Sequence, residues 1–191
     1  MARLFASDQF DFGSLLTPAE QSAILRLRAT LDEHVRPIVN EYWSRDEFPE
    51  HIIPHLVGLD MMNPVELREA GETPTELFTG FRTFELARCD ASISTFYNAV
   101  AGLYRTTVNL GGSPEQVAEL DPKIQTFESF GVFCLTEAEH GSDIARGLAT
   151  TAERNGDTWT INGSKRRIGG DFAANTLAIY ARDIAAGQVK C

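Results

Sequence analysis

Asn155-Gly156-Asp157 stands between two alternating segments, Thr150-Thr151-Ala152 and Thr158-Trp159-Thr160-Ile161. An Asn-Gly step in that setting is the strongest local hairpin signal, because both turn positions need a positive φ. A second Asn-Gly step, Asn162-Gly163, follows at once and leads into Ser164 to Ile168. Upstream, the apolar run Phe130 to Leu135 is short enough to suit a buried strand better than a helix. Between strand and hairpin lies a loop of small residues, Ala138 to Gly147. The stretch from Phe130 to Gly170 therefore reads as a small antiparallel sheet with a polar loop at its mouth.

The preceding two-thirds read as helices. Thr17-Pro18-Ala19-Glu20 is a capping box with proline at the first helical position, and Ile24, Leu27, Leu31, Val35 and Ile38 continue it as one apolar stripe. Pro37 predicts a kink or break in that stripe. Ile52 to Met61 reads as a short apolar helix. Thr73-Pro74-Thr75-Glu76 and Ser113-Pro114-Glu115-Gln116 repeat the capping pattern. Between them Ile93, Phe96, Tyr97, Val100, Leu103, Tyr104 and Thr107 keep helical spacing as far as Gly111-Gly112. These aromatic residues read as core. Downstream of the hairpin, Thr176 to Arg182 alternates as a strand does.

Composition narrows the class. A net charge of −10 over 191 residues, with Lys165-Arg166-Arg167 as the longest basic run, argues against nucleic acid or an anionic membrane as partner. Three cysteines, Cys89, Cys134 and Cys191, without Cys-x-x-Cys spacing suggest neither a disulfide framework nor a zinc site, which fits a reducing, cytoplasmic location. Met1 to Phe12 has no apolar signal-peptide core, and no run approaches the length that spans a bilayer.

The loop after the first strand is the leading place for chemistry. Gly141 permits close approach of a ligand, Ser142 offers a hydroxyl, and consecutive amides of such a turn can form an anion site for a phosphate-bearing cofactor. It reads equally as a surface loop in which Ser142 or Asp143 caps the next turn. His140 and Ile144 stand where a nucleophile elbow needs glycines, and neither a Walker loop nor a dinucleotide fingerprint is present. His51 and His55 have the four-residue spacing of zinc ligands, but Ile52 replaces the expected glutamate and Pro54 interrupts the turn, so no metal site is assigned. Glu137 and Glu139 show no sequence partner that would tune them for acid–base work, and no catalytic residue is assigned.

Phe133-Cys134-Leu135-Thr136-Glu137, then Gly141-Ser142-Asp143, then Asn162-Gly163-Ser164-Lys165 and Ile168, resemble in order and spacing the flavin-binding middle domain of the acyl-CoA dehydrogenases. Ala87-Arg88-Cys89-Asp90-Ala91-Ser92 and Gly112 to Gln116 resemble that family's N-terminal helical domain, nearest in layout to the glutaryl-CoA and short-chain branch. The resemblance implies an α+β chain: an all-α domain over 1–128 and a small antiparallel β-domain, an incomplete barrel, over 129–191. The family's C-terminal four-helix domain, which carries the catalytic base, is expected to be absent from these residues. It implies FAD as cofactor, lined by Phe133, Cys134, Leu135 and Thr136, with Gly141 and Ser142 at the pyrophosphate and Arg167, Ile168 and Gly169 as the second flavin segment. Arg167 stands where most members carry tryptophan. Ser142, Ser94 and Thr95 map to the acyl-CoA side, Ser94 replacing the arginine that meets a distal carboxylate in the glutaryl-CoA branch. The expected function is α,β-dehydrogenation of a short or medium acyl-CoA, with an electron-transfer flavoprotein or another acceptor as partner and a homo-oligomer, dimer or tetramer, as the assembly. The alternatives are an inactive scaffold or binding subunit of the same fold, or an oxidase.

Overall fold

A computed structural model describes residues 8–191. The chain packs as two compact units, Met1–Thr95 and Phe96–Cys191. The division lies within a helix, Ala91–Asn98 (α6 below), whereas the change from helices to strands comes after residue 125. Among the described residues no helix is long and apolar enough to cross a membrane.

The first unit is helical: α1 (Pro18–Thr30), α2 (Val39–Ser44), α3 (Ile53–Gly58), α4 (Val65–Ala70) and α5 (Glu76–Cys89). Helix α1 starts where its capping box sets it. Thr17 Oγ1 accepts from the Glu20 amide at 3.2 Å and Glu20 Oε2 accepts from the Thr17 amide at 3.0 Å. Its stripe buries Ala23, Ile24 and Leu27 and continues through Leu31 and Val35. The break expected at Pro37 begins earlier, as one π-helical turn over Leu31–Val35, and the helix resumes only at Val39. The apolar helix expected over 52–61 is a 3₁₀ turn, Glu50–Ile52, followed by α3, and it ends at Gly58.

The capping box expected at Thr73 is not formed. Helix α5 begins at Glu76 with Thr75 as its cap, whose hydroxyl oxygen accepts from the Phe78 amide at 3.1 Å. The reason is long-range: the buried Glu20 carboxylate accepts from both the Thr75 amide, at 3.0 Å, and its hydroxyl, at 2.6 Å. One carboxylate thus completes the first turns of two helices. Glu20→Ala is expected to lower stability by about 2–3 kcal/mol, since it leaves the Thr17 and Thr75 amides without that acceptor, and Glu20→Gln by less. Urea midpoints of the two variants check this.

The second unit runs from the end of α6 (Ala91–Asn98) through a π-helical turn (Ala99–Tyr104), α7 (Arg105–Gly111) and α8 (Pro114–Gln125). Both halves of the Ser113 capping box form, and α8 accommodates Pro122 in its last turns. Arg105 holds Asp121 bidentately at 2.6 and 3.1 Å, and this bond, joined by those from Asn109 and Gln125, brings the Asp121 carboxyl down to about 2.

The strands follow as β1 (Gly131–Cys134), β2 (Thr151–Asn155), β3 (Thr158–Asn162), β4 (Thr176–Ile179), β5 (Ala181–Asp183) and β6 (Val189–Lys190), with the one-turn helix α9 (Ile144–Gly147) between β1 and β2. The hairpin forms at the place read, with Thr151 opposite Asn162, but its turn positions are Gly156, at φ 65°, and Asp157, because Asn155 already pairs with Thr158 at the end of β2. The sheet is not purely antiparallel and is not closed. Strand β1 pairs in parallel with β4, Gly131 opposite Thr176, to make a separate two-stranded sheet. In the second sheet, ordered β3-β2-β5-β6, the central pair β2–β5 is also parallel. Each parallel pair is joined by a long excursion of chain, the crossover that parallel pairing requires, and turn chemistry in the sequence carries no sign of it. The alternation over 176–182 is divided between β4 and β5 at Tyr180.

Strand β1 lies against the π-helical turn of its own unit. A Cβ on Gly131 would stand 2.3 Å from the ring of Tyr104, which is buried and hydrogen-bonded to Ser129 at 3.0 Å. Only glycine allows that approach.

Candidate functional site

The site is built where β1 ends. Leu135 to Gly147 leaves the strand as a loop whose first turn closes when the Glu137 amide donates to the His140 carbonyl at 3.0 Å. His140 Nδ1 and Asp143 Oδ2 lie 2.8 Å apart, and the amides of Arg146 and Gly147 donate to the Asp143 carbonyl. Gly147 ends α9 close against this pair: a Cβ there would fall 1.9 Å from the Asp143 carboxylate, which would have to swing away.

Glu137 is the centre of the loop's construction. Its side chain is 5% exposed, and it accepts from the Ala149 amide at 2.7 Å, from the Thr150 amide at 2.8 Å, from the Thr150 hydroxyl, and from Lys165 Nζ at 2.9 Å. Burial alone would push this carboxyl up. The Thr150 hydroxyl, the Lys165 ammonium and the two amides outweigh it and hold the group at about 2. Lys165, itself 10% exposed, also donates to the Leu135 carbonyl at 3.1 Å. One residue on, the Arg166 amide donates to the Thr136 carbonyl at 2.9 Å. The segment that follows β3 is thereby laid directly along the segment that follows β1. Gly163 makes the close approach possible, because a Cβ there would stand 2.7 Å from the Thr150 Cα.

These bonds locate most of the residues singled out from the sequence. Phe133 and Cys134 are the last two residues of β1; Cys134 is buried and Phe133 packs half-buried against Tyr180 at 4.8 Å between ring centroids. Leu135 and Thr136 give their carbonyls to Lys165 and Arg166, while the rest of Thr136 stays exposed. Gly141 and Ser142 are exposed in the loop, and a Cβ at Gly141 would meet nothing within 4 Å. Arg167 and Gly169 are exposed and Ile168 is half-buried, in the segment joined to Thr136. Ser94 and Thr95 belong to the first unit. Ser94 is buried with its hydroxyl 3.4 Å from the Thr83 carbonyl, and Thr95 donates to the Ala91 carbonyl at 2.9 Å.

Two features of the site escape the sequence. Glu137 has both the partner and the burial that no local pattern displays, and Lys165 is a buried ion-pair partner rather than the first of three solvated cations. The one visible signal is the basic run itself, which places three cations directly after a turn where an extended chain points alternate side chains to opposite faces.

Chemically, the brace is a closed ion pair and not an acid–base pair open to a substrate. The charges inside the brace pair with each other; the Thr136 and Ser142 side chains and the open backbone of Gly141 are exposed beside the Arg167–Gly169 segment, with Glu139, Asp143 and Arg166 exposed in the same two segments. A glycine that the chain's own packing does not require, beside exposed hydroxyls on a pinned backbone, fits a flavin with its diphosphate.

A family model described as "Acyl-CoA dehydrogenase, N-terminal domain" matches residues 17–128. The mitochondrial short/branched chain specific acyl-CoA dehydrogenase of Rattus norvegicus is 28% identical over 173 residues, covering 89% of this chain and 40% of that protein. The mitochondrial isobutyryl-CoA dehydrogenase of Dictyostelium discoideum is 31% identical over 156 residues, 78% of this chain and 36% of that one. Among solved structures, the glutaryl-CoA dehydrogenase of Mycobacterium smegmatis in complex with FADH2 superposes with a TM-score of 0.79 at 26% identity, over 92% of this chain and 45% of that one. The chain spans about two fifths of the length of these curated relatives. On the match over residues 17–128, the chain belongs to the acyl-CoA dehydrogenase family.

Proposed function

We propose that these residues form the flavin wall of an FAD-dependent acyl-CoA dehydrogenase that introduces an α,β double bond into a short or medium acyl-CoA thioester. The observation that carries the reading is the braced loop itself, in which Glu137 and Lys165 hold two backbone segments together while Thr136, Gly141 and Ser142 remain open to a ligand. FAD would supply acceptance of a hydride from the acyl β-carbon. The chain's part is to hold it: Phe133, Cys134, Leu135 and Thr136 at the ring, Gly141 and Ser142 at the diphosphate, and Arg167, Ile168 and Gly169 along the second edge. Neutral donors at a ring edge favour its electron-rich reduced state.

Glu137 does not serve as the base that takes the α-proton. A buried carboxylate paired with Lys165 and held at about 2 is too weak a proton acceptor for a carbon acid. The base comes from outside these residues.

A short neutral acyl chain is supported by Ser94 and Thr95, whose hydroxyls turn to helix carbonyls where a dicarboxylic substrate would need a cation. The names of the rat and Dictyostelium relatives, short/branched chain and isobutyryl, point the same way. On this reading electrons pass to an electron-transfer flavoprotein or a similar acceptor, and the protein is a cytoplasmic homo-oligomer.

Arg167 favours a second reading. A guanidinium where the family carries an aromatic shelf suits an altered cofactor site, either that of an oxidase or that of a scaffold that has lost its flavin. The visible spectrum of the protein purified from its full reading frame separates these. A flavin spectrum bleached anaerobically by a short acyl-CoA is the expected result, with little oxygen consumed in air. A colourless protein that FAD does not reconstitute would overturn the dehydrogenase reading in favour of the scaffold.

A further inference from the structure

We propose that Lys165 is a positioning residue for the cofactor: its ammonium joins the Leu135 carbonyl to the Glu137 carboxylate, so that the backbone after β1 and the backbone after β3 meet FAD as one surface. This rests on the flavin reading above and adds to it two residues, Lys165 and Glu137, that do not themselves touch the ligand.

The argument is geometric. The two segments are 28 residues apart in sequence, with the whole β2–β3 hairpin between them. Between Leu135–Glu137 and Lys165–Arg166 the structure has three bonds: Lys165 Nζ to Leu135 O at 3.1 Å, Lys165 Nζ to Glu137 Oε1 at 2.9 Å, and Arg166 N to Thr136 O at 2.9 Å. Two of the three run through one ammonium. Glu137 in turn is tied by the Ala149 and Thr150 amides to the start of β2, so the ammonium sits on an anchored carboxylate and not on a mobile one. Thr136 lies between Leu135, held by its carbonyl, and Glu137, held by its carboxylate, and it is exposed. Without the ammonium, Leu135–Thr136 and Arg166–Gly169 would keep a single backbone bond between them, and the spacing of a cleft that a planar ring must enter would be free to change.

The test uses full-length protein stripped of flavin and titrated with FAD, with the melting temperature of each apo form measured beside it. Lys165→Met is expected to weaken FAD binding about tenfold and to alter the visible circular dichroism of the bound flavin, while Lys165→Arg, which keeps charge and donors, restores most of the affinity. A Lys165→Met protein that melts lower yet binds FAD with unchanged affinity and unchanged dichroism has lost only a structural bond, and that result overturns the proposal while leaving the flavin reading intact. If Lys165→Met does not fold, Glu137→Gln decides. It preserves side-chain volume and keeps one oxygen for the Thr150 amide, with its NH2 turned to the Ala149 amide, and it removes the charge that holds the ammonium, so the same tenfold loss is expected and wild-type affinity would overturn the proposal. Wild-type protein that takes up no FAD at all overturns the flavin reading, and this inference with it.

Discussion

Glu137→Ala is expected to destabilise the protein by about 3–5 kcal/mol, the range for removing one partner of a buried ion pair. Its three protein donors and Lys165 converge on a side chain that is 5% exposed, and Lys165 is 10% exposed, so neither the amides nor the ammonium reaches water without moving the loop. The size of the effect comes from what is left behind and not from the ion pair's own strength. Glu137→Gln, which keeps one of the two acceptor oxygens, is expected to lose about half as much. Urea denaturation midpoints at neutral pH give both values. A loss below about 1 kcal/mol for Glu137→Ala would mean that the brace is hydrated in solution.

The same carboxylate sets a pH dependence. Its folded-state value, about 2, lies below the ordinary 4.5, so its contribution is complete above about 4.5 and disappears as pH falls toward 2. Asp121, also held at about 2 by Arg105, titrates in the same window. The informative quantity is therefore the difference between wild type and Glu137→Gln. The gap in melting temperature between the two is expected to be widest above pH 5 and to narrow steadily to pH 3. A gap independent of pH would assign the stabilisation to packing.

How far the sequence foretells this molecule depends on the range of the forces involved. The Thr17 and Ser113 capping boxes form as read and the hairpin forms at the place read, because their chemistry closes within four residues. Thr75 takes the cap expected at Thr73 because Glu20, 55 residues earlier, receives its amide and hydroxyl. Parallel pairing of β1 with β4 matches residues 45 positions apart, where no turn residue can announce the partner. The loop beside β1 is legible from its small residues and from family resemblance. Its brace is not, since Glu137 and Lys165 look in sequence like any solvated acid and base. Charged residues that fold inward are the systematic blind spot of periodicity, which counts apolar side chains and treats every charge as surface.

Glu85 is a second instance and yields the other large effect. Helix α5 buries it completely, and it receives Arg28 Nε and Nη2 at 2.9 and 2.5 Å and Arg88 Nε at 2.8 Å. Burial raises its carboxyl, but the two guanidinium groups more than reverse this and hold it below the usual carboxylate range. Glu85→Ala removes the centre of this cluster and opens a void between α1 and α5. The arginine side chains are 23% and 28% exposed and can turn partly to water, which limits the cost to about 3 kcal/mol. Arg28→Ala leaves the harder problem, since the carboxylate has no exposure of its own and loses its bidentate partner, with Arg88 Nε at 2.8 Å left to neutralise it. Its expected cost is about 3–5 kcal/mol, equal to or above that of Glu85→Ala, although arginine is the more exposed partner. The double variant Arg28→Met with Glu85→Leu, which replaces charge by apolar volume, should recover part of the loss. If Arg28→Ala instead proved near neutral while Glu85→Ala was costly, Arg88 alone would suffice to neutralise Glu85, and the bidentate pair across α1 and α5 would carry no share of the first unit's stability.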